Sequence, residues 1–236
     1  ATTLAVTGVG HSPDFTWIKN RDEADNHILV DEVRGATNYL VSDDTDIEVD
    51  DNTFVASLDS DGFTVGDDVA VNTNTENYVS WNWKGDGVAG GALNQDGDLD
   101  SQVNVNTTAG FSIFGYVGDG GVSATVGHGL AQTPELVIYR NRFSAADDWV
   151  VYNKTITATD RLKLNSDGAA TTASSQFNDT EPTASLVTIG TYNNINKLDD
   201  NYIAYAFHSV EGYSKVGSYT GNDSTDGVFV YCGFQP

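Results

Sequence analysis

The sequence predicts an all-β protein of two tandem antiparallel sandwich modules, and three observations carry that expectation. Strand-forming residues and glycine dominate: 24 Gly and 25 aromatic residues against only 4 Pro and no Met, a mix suited to strands and tight turns. Short runs alternate apolar and polar positions with period two, and no helical period extends over a full helix length. The chain also repeats itself.

The repeat organises the chain. Pro13-Asp14-Phe15-Thr16-Trp17-Ile18-Lys19-Asn20-Arg21 is matched by Pro134-Glu135-Leu136-Val137-Ile138-Tyr139-Arg140-Asn141-Arg142. Further along, Ala36 to Leu40 matches Ala158 to Leu162, Phe63 to Gly66 matches Val187 to Gly190, and Tyr78 to Trp83 matches Tyr202 to Phe207. The offset between the copies drifts one way, from 121 to 124 residues, as small loop insertions produce. A third, partial copy closes the chain: Tyr213-Ser214 onward echoes Phe111-Ser112 onward, and Tyr219 to Asn222 echoes Tyr116 to Asp119. The expected organisation is one sandwich over 1–90, a Gly/Asp/Asn-rich linker over 91–110, a second sandwich over 111–212, and the start of a third repeat over 213–236. That last segment would alternatively complete a neighbouring sheet. A chain that starts inside one repeat and stops inside another is either cut from a longer array or has ends that complete one another in space.

Individual elements follow from the same pattern. Asp14 to Lys19 and Glu135 to Tyr139 read as apolar strands opened by proline, and Asp148 to Tyr152 as another. In Tyr78 to Trp83, Val79, Trp81 and Trp83 share one face; in Tyr202 to Phe207, Ile203, Tyr205 and Phe207 do, with Ala204 and Ala206 opposite. Asp61-Gly62, Asp167-Gly168 and Asp226-Gly227 are turn signals. Cys232 lies in an aromatic run expected to be a strand, buried and inert; as the sole cysteine it has no partner for a disulfide within the chain.

Charge narrows the function. With 34 Asp plus Glu against 11 Lys plus Arg, the net charge is −23, which repels nucleic-acid and anionic-lipid phosphates. No apolar run is long enough to span a membrane, so neither nucleic-acid binding nor membrane insertion is expected. The acidity serves solubility or supports cation binding. Asp96, Asp98 and Asp100, with Asn94 before them, space oxygen donors on alternate residues and form a weak calcium candidate; the Glu that closes a helix–loop–helix calcium site is missing, and a solvated acidic linker is the default. No other cofactor is expected.

Catalytic patterns are missing. Gly85-x-Gly87-x-x-Gly90 matches a dinucleotide fingerprint but is not followed by a helix. His11, His27, His128 and His208 have no paired metal spacing, no Gly-x-Ser-x-Gly elbow exists, and no carboxylate triplet of the sandwich-glucanase kind is present. The protein is expected not to be an enzyme. Lys19/Arg21 and Arg140/Arg142 are either ligand-facing cations or, the stronger reading, ion pairs with the acidic loops.

At Pro13 to Arg21, Asp31 to Ala36, Ser60 to Gly66, Tyr78 to Lys84, Asn178 to Thr183, Val210 to Lys215, Gly217 to Asn222 and Gly227 to Tyr231 the chain resembles a repeated domain of tail-fibre and virion structural proteins of marine tailed phages. The resemblance implies concanavalin-like jelly-roll sandwiches on a virion surface or otherwise outside the cell. A fibre or capsid protrusion would be symmetric, so self-association as a trimer or higher oligomer and contacts with other virion proteins are expected, and the Tyr, Trp and Asn content suits attachment to a host-surface glycan, with a host protein as the other target. The resemblance carries no set of site residues, so the ligand-binding residues stay unassigned. Two further readings use the same fold: a purely architectural subunit of a capsid, fibre or filament, and a secreted carbohydrate-binding module or adhesin.

Overall fold

The computed structural model describes residues 2–235. The protein is all-β, built of antiparallel sheets stacked as β-sandwiches.

The N-terminal half contains β1 (Leu4–Thr7), β2 (Phe15–Asn20), β3 (Ile28–Asp31), β4 (Asn38–Val41), β5 (Val49–Asp50), β6 (Val55–Asp59), β7 (Gly62–Val65), a single helical turn α1 (Val69–Asn72) and β8 (Tyr78–Trp83). Then come β9 (Ala92–Asn94), β10 (Ser101–Asn106) and β11 (Phe111–Val117). The C-terminal half holds β12 (Ala124–Gly127), β13 (Leu136–Asn141), β14 (Val150–Asn153), β15 (Asp160–Lys163), β16 (Thr171–Thr172), α2 (Ser174–Phe177), β17 (Leu186–Ile189), α3 (Asn193–Asn196) and β18 (Asn201–Phe207).

The two halves share one connectivity. A five-stranded sheet runs β5-β4-β3-β2-β8, and the same order recurs as β16-β15-β14-β13-β18 within an eight-stranded sheet that continues into β11-β10-β9. On the outer side of the first sheet lies β1-β7-β6; on the outer side of the second lies the pair β12-β17. At the β6–β7 hairpin Gly62 (φ +141°) lies against β1, where a Cβ would stand 2.0 Å from the Val6 carbonyl oxygen; only glycine permits that approach.

Three cores separate four layers. Ile18, Ile28, Val30 and Val41 of the five-stranded sheet pack on Val55, Phe63 and Val65 of the small outer sheet. On the far side, Phe114, Tyr116, Val137 and Tyr202 pack on Val126, Val187 and Ile189. The third core lies between the large sheets and draws on both halves: Phe15, Leu29 and Leu40 meet Phe111, Ile113, Trp149, Ile203 and Tyr205. Strands covered on both faces read as continuous apolar runs, which explains β3 (Ile-Leu-Val-Asp, all four residues buried) and β13, where five of six are buried. The face assignment made for β18 holds: Ile203, Tyr205 and Phe207 meet the middle core, while Ala204 and Ala206 meet the outer one.

Two expectations need correction. Residues 91–110 are not a bare linker: β9 and β10 lie there and are hydrogen-bonded into the large sheet. β10 turns Val103 and Val105 into the outer core, and its other buried positions, Ser101 and Asn104, are polar and satisfied by specific bonds, such as Ser101 Oγ to the Gly127 carbonyl at 2.6 Å. Cys232 is in no strand and is partly exposed. Within a single chain, residues 213–235 form no strand apart from the bridge of Ser214 to Val210.

Candidate functional site

The middle core opens at one end into an aromatic cleft. Phe15 is its hub, stacked on Tyr205 (centroids 4.3 Å apart) and on Trp83 (4.9 Å). Trp83 in turn meets the edge of Phe207 at 6.0 Å. Beyond this point the sheets splay and leave a cavity of about 530 Å³ with Trp17 and Leu29 on one wall and Leu136, Ile138 and Phe207 on the other. Residues 213–216 cross its mouth.

Alternation within the strands places these rings. Phe15 and Trp17 share a face of β2, and the register pairs them with Trp83 and Trp81 of β8, so four aromatic side chains from two strands project together. Trp17 and Trp81 pack edge to face at 6.2 Å, and Trp81 is 45% exposed. The Trp17 indole N–H donates to His27 Nδ1 at 2.8 Å. Burial lowers the pKa of His27, outweighing the pull of Asp43, which keeps the ring neutral and able to accept that bond. The cleft also contains one unused polar group: His208 lines it, and its buried Nε2 has no partner among the described residues. Such a surface can stack on flat or apolar ligand faces and offer a few polar contacts at the rim.

The calcium candidate does not assemble. Asp96 accepts from Asn94 Nδ2 (3.0 Å), Asp98 braces β12 by accepting from the Thr125 N–H (3.0 Å) and hydroxyl (2.7 Å), and Asp100 accepts from Gln95 Nε2 (3.2 Å). The three carboxylates serve separate turns. Among the described residues no group of three or more His, Cys, Asp or Glu could hold a metal ion. Nor is Gly85 to Gly90 a phosphate cradle: the buried Asp14 carboxylate takes the N–H groups of Gly85 (2.7 Å) and Gly87 (3.1 Å) and the Asn104 amide (2.7 Å). Three donors satisfy a buried anion in this way without any cation.

The paired cations are structural in three of four cases. Arg142 grips Glu48 of the other half with two bonds, 2.8 and 2.5 Å. Arg140 is fully buried and donates to the backbone carbonyls of Asp46 (2.8 Å), Ser144 (3.1 Å), Thr45 and Asp147; it meets the acidic loops through their backbone rather than their carboxylates. Lys19 donates to the carbonyls of Asn20 and Glu23 at 2.5 and 2.9 Å. Arg21 is exposed.

Two arrangements escaped the sequence reading. Between the flanking bases of each triplet, the asparagine holds the loops together: Asn20 donates to Asp25 (2.7 Å) and Glu76 (2.6 Å), and Asn141 donates to Asp147 (2.8 Å) and Asp200 (2.9 Å). The identical residue type at matched positions was the available signal. The second is a buried ionic junction between halves: Arg34 donates to Asp31 (2.6 Å), Glu48 (3.1 Å) and Tyr205 Oη (3.3 Å), and the Tyr205 hydroxyl donates to Asp31 at 2.7 Å. Burial works against the Arg34 charge, but Asp31, Tyr205 and Glu48 outweigh it and raise its pKa further, so the guanidinium stays charged.

Fold and cleft together define an all-β protein of stacked sandwiches with an aromatic cleft between its large sheets. The chain belongs to a family described as a domain of unknown function, DUF7483, whose profile matches residues 1–236. No curated protein and no solved structure matches it.

Proposed function

We propose that this protein is a non-enzymatic surface protein of a virion, of tail-fibre type, that attaches to a host-surface glycan through the aromatic cleft. The observation that supports the reading is the edge-to-face pairing of Trp17, which lines the cleft, with Trp81, which is 45% exposed. Exposed tryptophans held rigid by a neighbour are costly to leave in water and suit the apolar faces of sugar rings. A net charge of −23 favours neutral or cationic glycans over acidic ones. The test is binding to a glycan array, followed by tryptophan fluorescence titration with the best polysaccharide. Trp81→Ala is expected to weaken binding at least tenfold with the unfolding midpoint unchanged. Binding that survives both Trp81→Ala and Trp17→Ala would exclude the cleft as the site.

A purely architectural role has its own support in the uncovered edge of β8 in the N-terminal half.

A further inference from the structure

Strand β8 is an unusually unprotected edge. Its register with β2, fixed by the Arg21 N–H bond to the Asn77 carbonyl, commits its odd-numbered residues to β2. The N–H and C=O groups of Tyr78, Ser80 and Asn82 therefore point outward, and among the described residues no strand lies beside them. Native proteins blunt such edges with charge, proline, bulges or shortness. The other strands that end the large sheets, β5, β9 and β16, are two or three residues long. Strand β8 runs six residues, Tyr-Val-Ser-Trp-Asn-Trp, with no charge and no proline.

The C-terminal half shows what covers the matching edge. There β11 pairs with β18, its even-numbered residues bonded to Tyr202, Ala204 and Ala206, as the flanking bonds His208 N–H to Gly110 and Gly118 N–H to Asp200 fix. Tyr116 of β11 fills the core beneath, stacked on Tyr202 at 5.1 Å with its hydroxyl donating to the Ile195 carbonyl at 2.8 Å. At the corresponding place beneath β8 the N-terminal half has a cavity of about 400 Å³, lined by Val6, Ile18, Phe63, Val65, Val71 and Tyr78.

Residues 213–222 carry the pattern of β11. Tyr213-Ser214-Lys215-Val216-Gly217 matches Phe111-Ser112-Ile113-Phe114-Gly115; after one additional residue, Ser218, Tyr219-Thr220-Gly221-Asn222 matches Tyr116-Val117-Gly118-Asp119. Yet Tyr213 and Tyr219 are 61% and 73% exposed. Within its own chain the segment is tied to Ser209 and Val210, not to β8. One molecule thus presents an open edge with a cavity under it and, elsewhere, an unpaired segment with the sequence of the strand that would close it.

We propose that residues 213–222 of a second copy of this chain add to β8 as an antiparallel strand and that Tyr219 fills the cavity beneath it. The register follows β11 on β18: Ser214 lies opposite Asn82, Val216 opposite Ser80, a bulge takes up Ser218, and Tyr219 stacks on Tyr78 with its hydroxyl at the Val71 carbonyl. Strand addition of this kind draws its affinity from main-chain bonds and its specificity from the inserted side chain. Because each copy both donates and accepts, the contact is head to tail and gives rings or open fibres. The proposal does not rest on the glycan reading, although its donor residues 213–216 also line the cleft and its acceptor strand β8 carries Trp81 and Trp83.

The test is light scattering of the full chain over a dilution series at low and high salt, with hydrogen exchange read at β8. Masses above the 25.2 kDa monomer that grow with concentration are expected, and more so at high salt, which screens the charge of −23. Protected amides at Ser80 and Asn82 should accompany them. Tyr219→Asp destroys the donor in an exposed segment, and Ser80→Pro destroys the acceptor at an outward N–H where proline is tolerated. Each variant alone should be monomeric, and an equimolar mixture should form a one-to-one dimer. A full chain that stays monomeric throughout, or assembly that survives both variants, overturns the proposal. So does protection of Ser80 and Asn82 within a monomer, which would mean that the chain closes its own edge.

Discussion

Strands β8 and β18 occupy the same place in the two halves and carry the same pattern, yet their surroundings differ. Tyr205 is 1% exposed and its counterpart Trp81 is 45% exposed; β18 lies between β13 and β11, whereas β8 has β2 alone. The alternation of a strand specifies which face its side chains take. It does not specify whether a neighbour covers its edge. That is decided by residues far away in the chain, here Phe111–Val117 for one strand and, in the assembly proposed above, residues 213–222 of another copy.

The comparison can be broken by proline. Ala204→Pro removes a main-chain bond from a strand paired on both sides, and the variant is expected not to be recovered folded. Ser80→Pro at the matching position should leave the unfolding free energy of the monomer within about 0.5 kcal/mol of the parent. Circular dichroism and urea titration decide; equal damage from the two substitutions would mean that the β8 edge is covered within the monomer.

A second contrast concerns the aromatic under each edge. Tyr116→Ala empties a packed site and breaks the bond to Ile195, so a loss of about 3–5 kcal/mol is expected. Tyr219→Ala, at dilutions where the chain is monomeric, should change stability by less than about 0.5 kcal/mol. Denaturant midpoints measured on both variants check this.

The smallest expected effect is one of pH, in the half that β11 covers. Burial holds the His128 pKa down at about 4, against the opposing pull of the Thr183 carbonyl, from an ordinary value of 6.5. Between those values the unfolded chain binds more protons than the folded one, so stability falls as the pH drops through that window, by about 3 kcal/mol at most. His128→Asn, which keeps an acceptor for the Leu130 N–H, should flatten that slope in denaturation series run from pH 7 to 4.

Much of this fold was legible in the sequence, and what escaped has physical causes. The faces of β8 and β18 followed from alternation because each has apolar residues at every second position. β10 did not, because only Val103 and Val105 are apolar in a stretch otherwise of Ser, Gln and Asn; beside their burial, Asn104 reaches Asp14 across 90 residues of sequence. Cys232 was misread because an apolar run becomes a buried strand only where a partner strand exists. In the cleft, the aromatic residues were visible but not their convergence, since Trp17 and Trp81 come together only through the β2–β8 register. The Arg34–Asp31–Glu48 cluster lies in one half, and its bonds to Tyr205 and Arg142 of the other half are invisible to any reading of one half alone.

The shared middle core has a consequence for synthesis. The five-stranded sheet is complete once Trp83 has been made, but the opposing face, through Tyr205 and Phe207, arrives some 124 residues later. At ordinary translation rates that interval lasts roughly 6 to 25 seconds. Throughout it the nascent chain holds Phe15, Leu29 and Trp83 without the full face that buries them, a sticky surface open to misassociation.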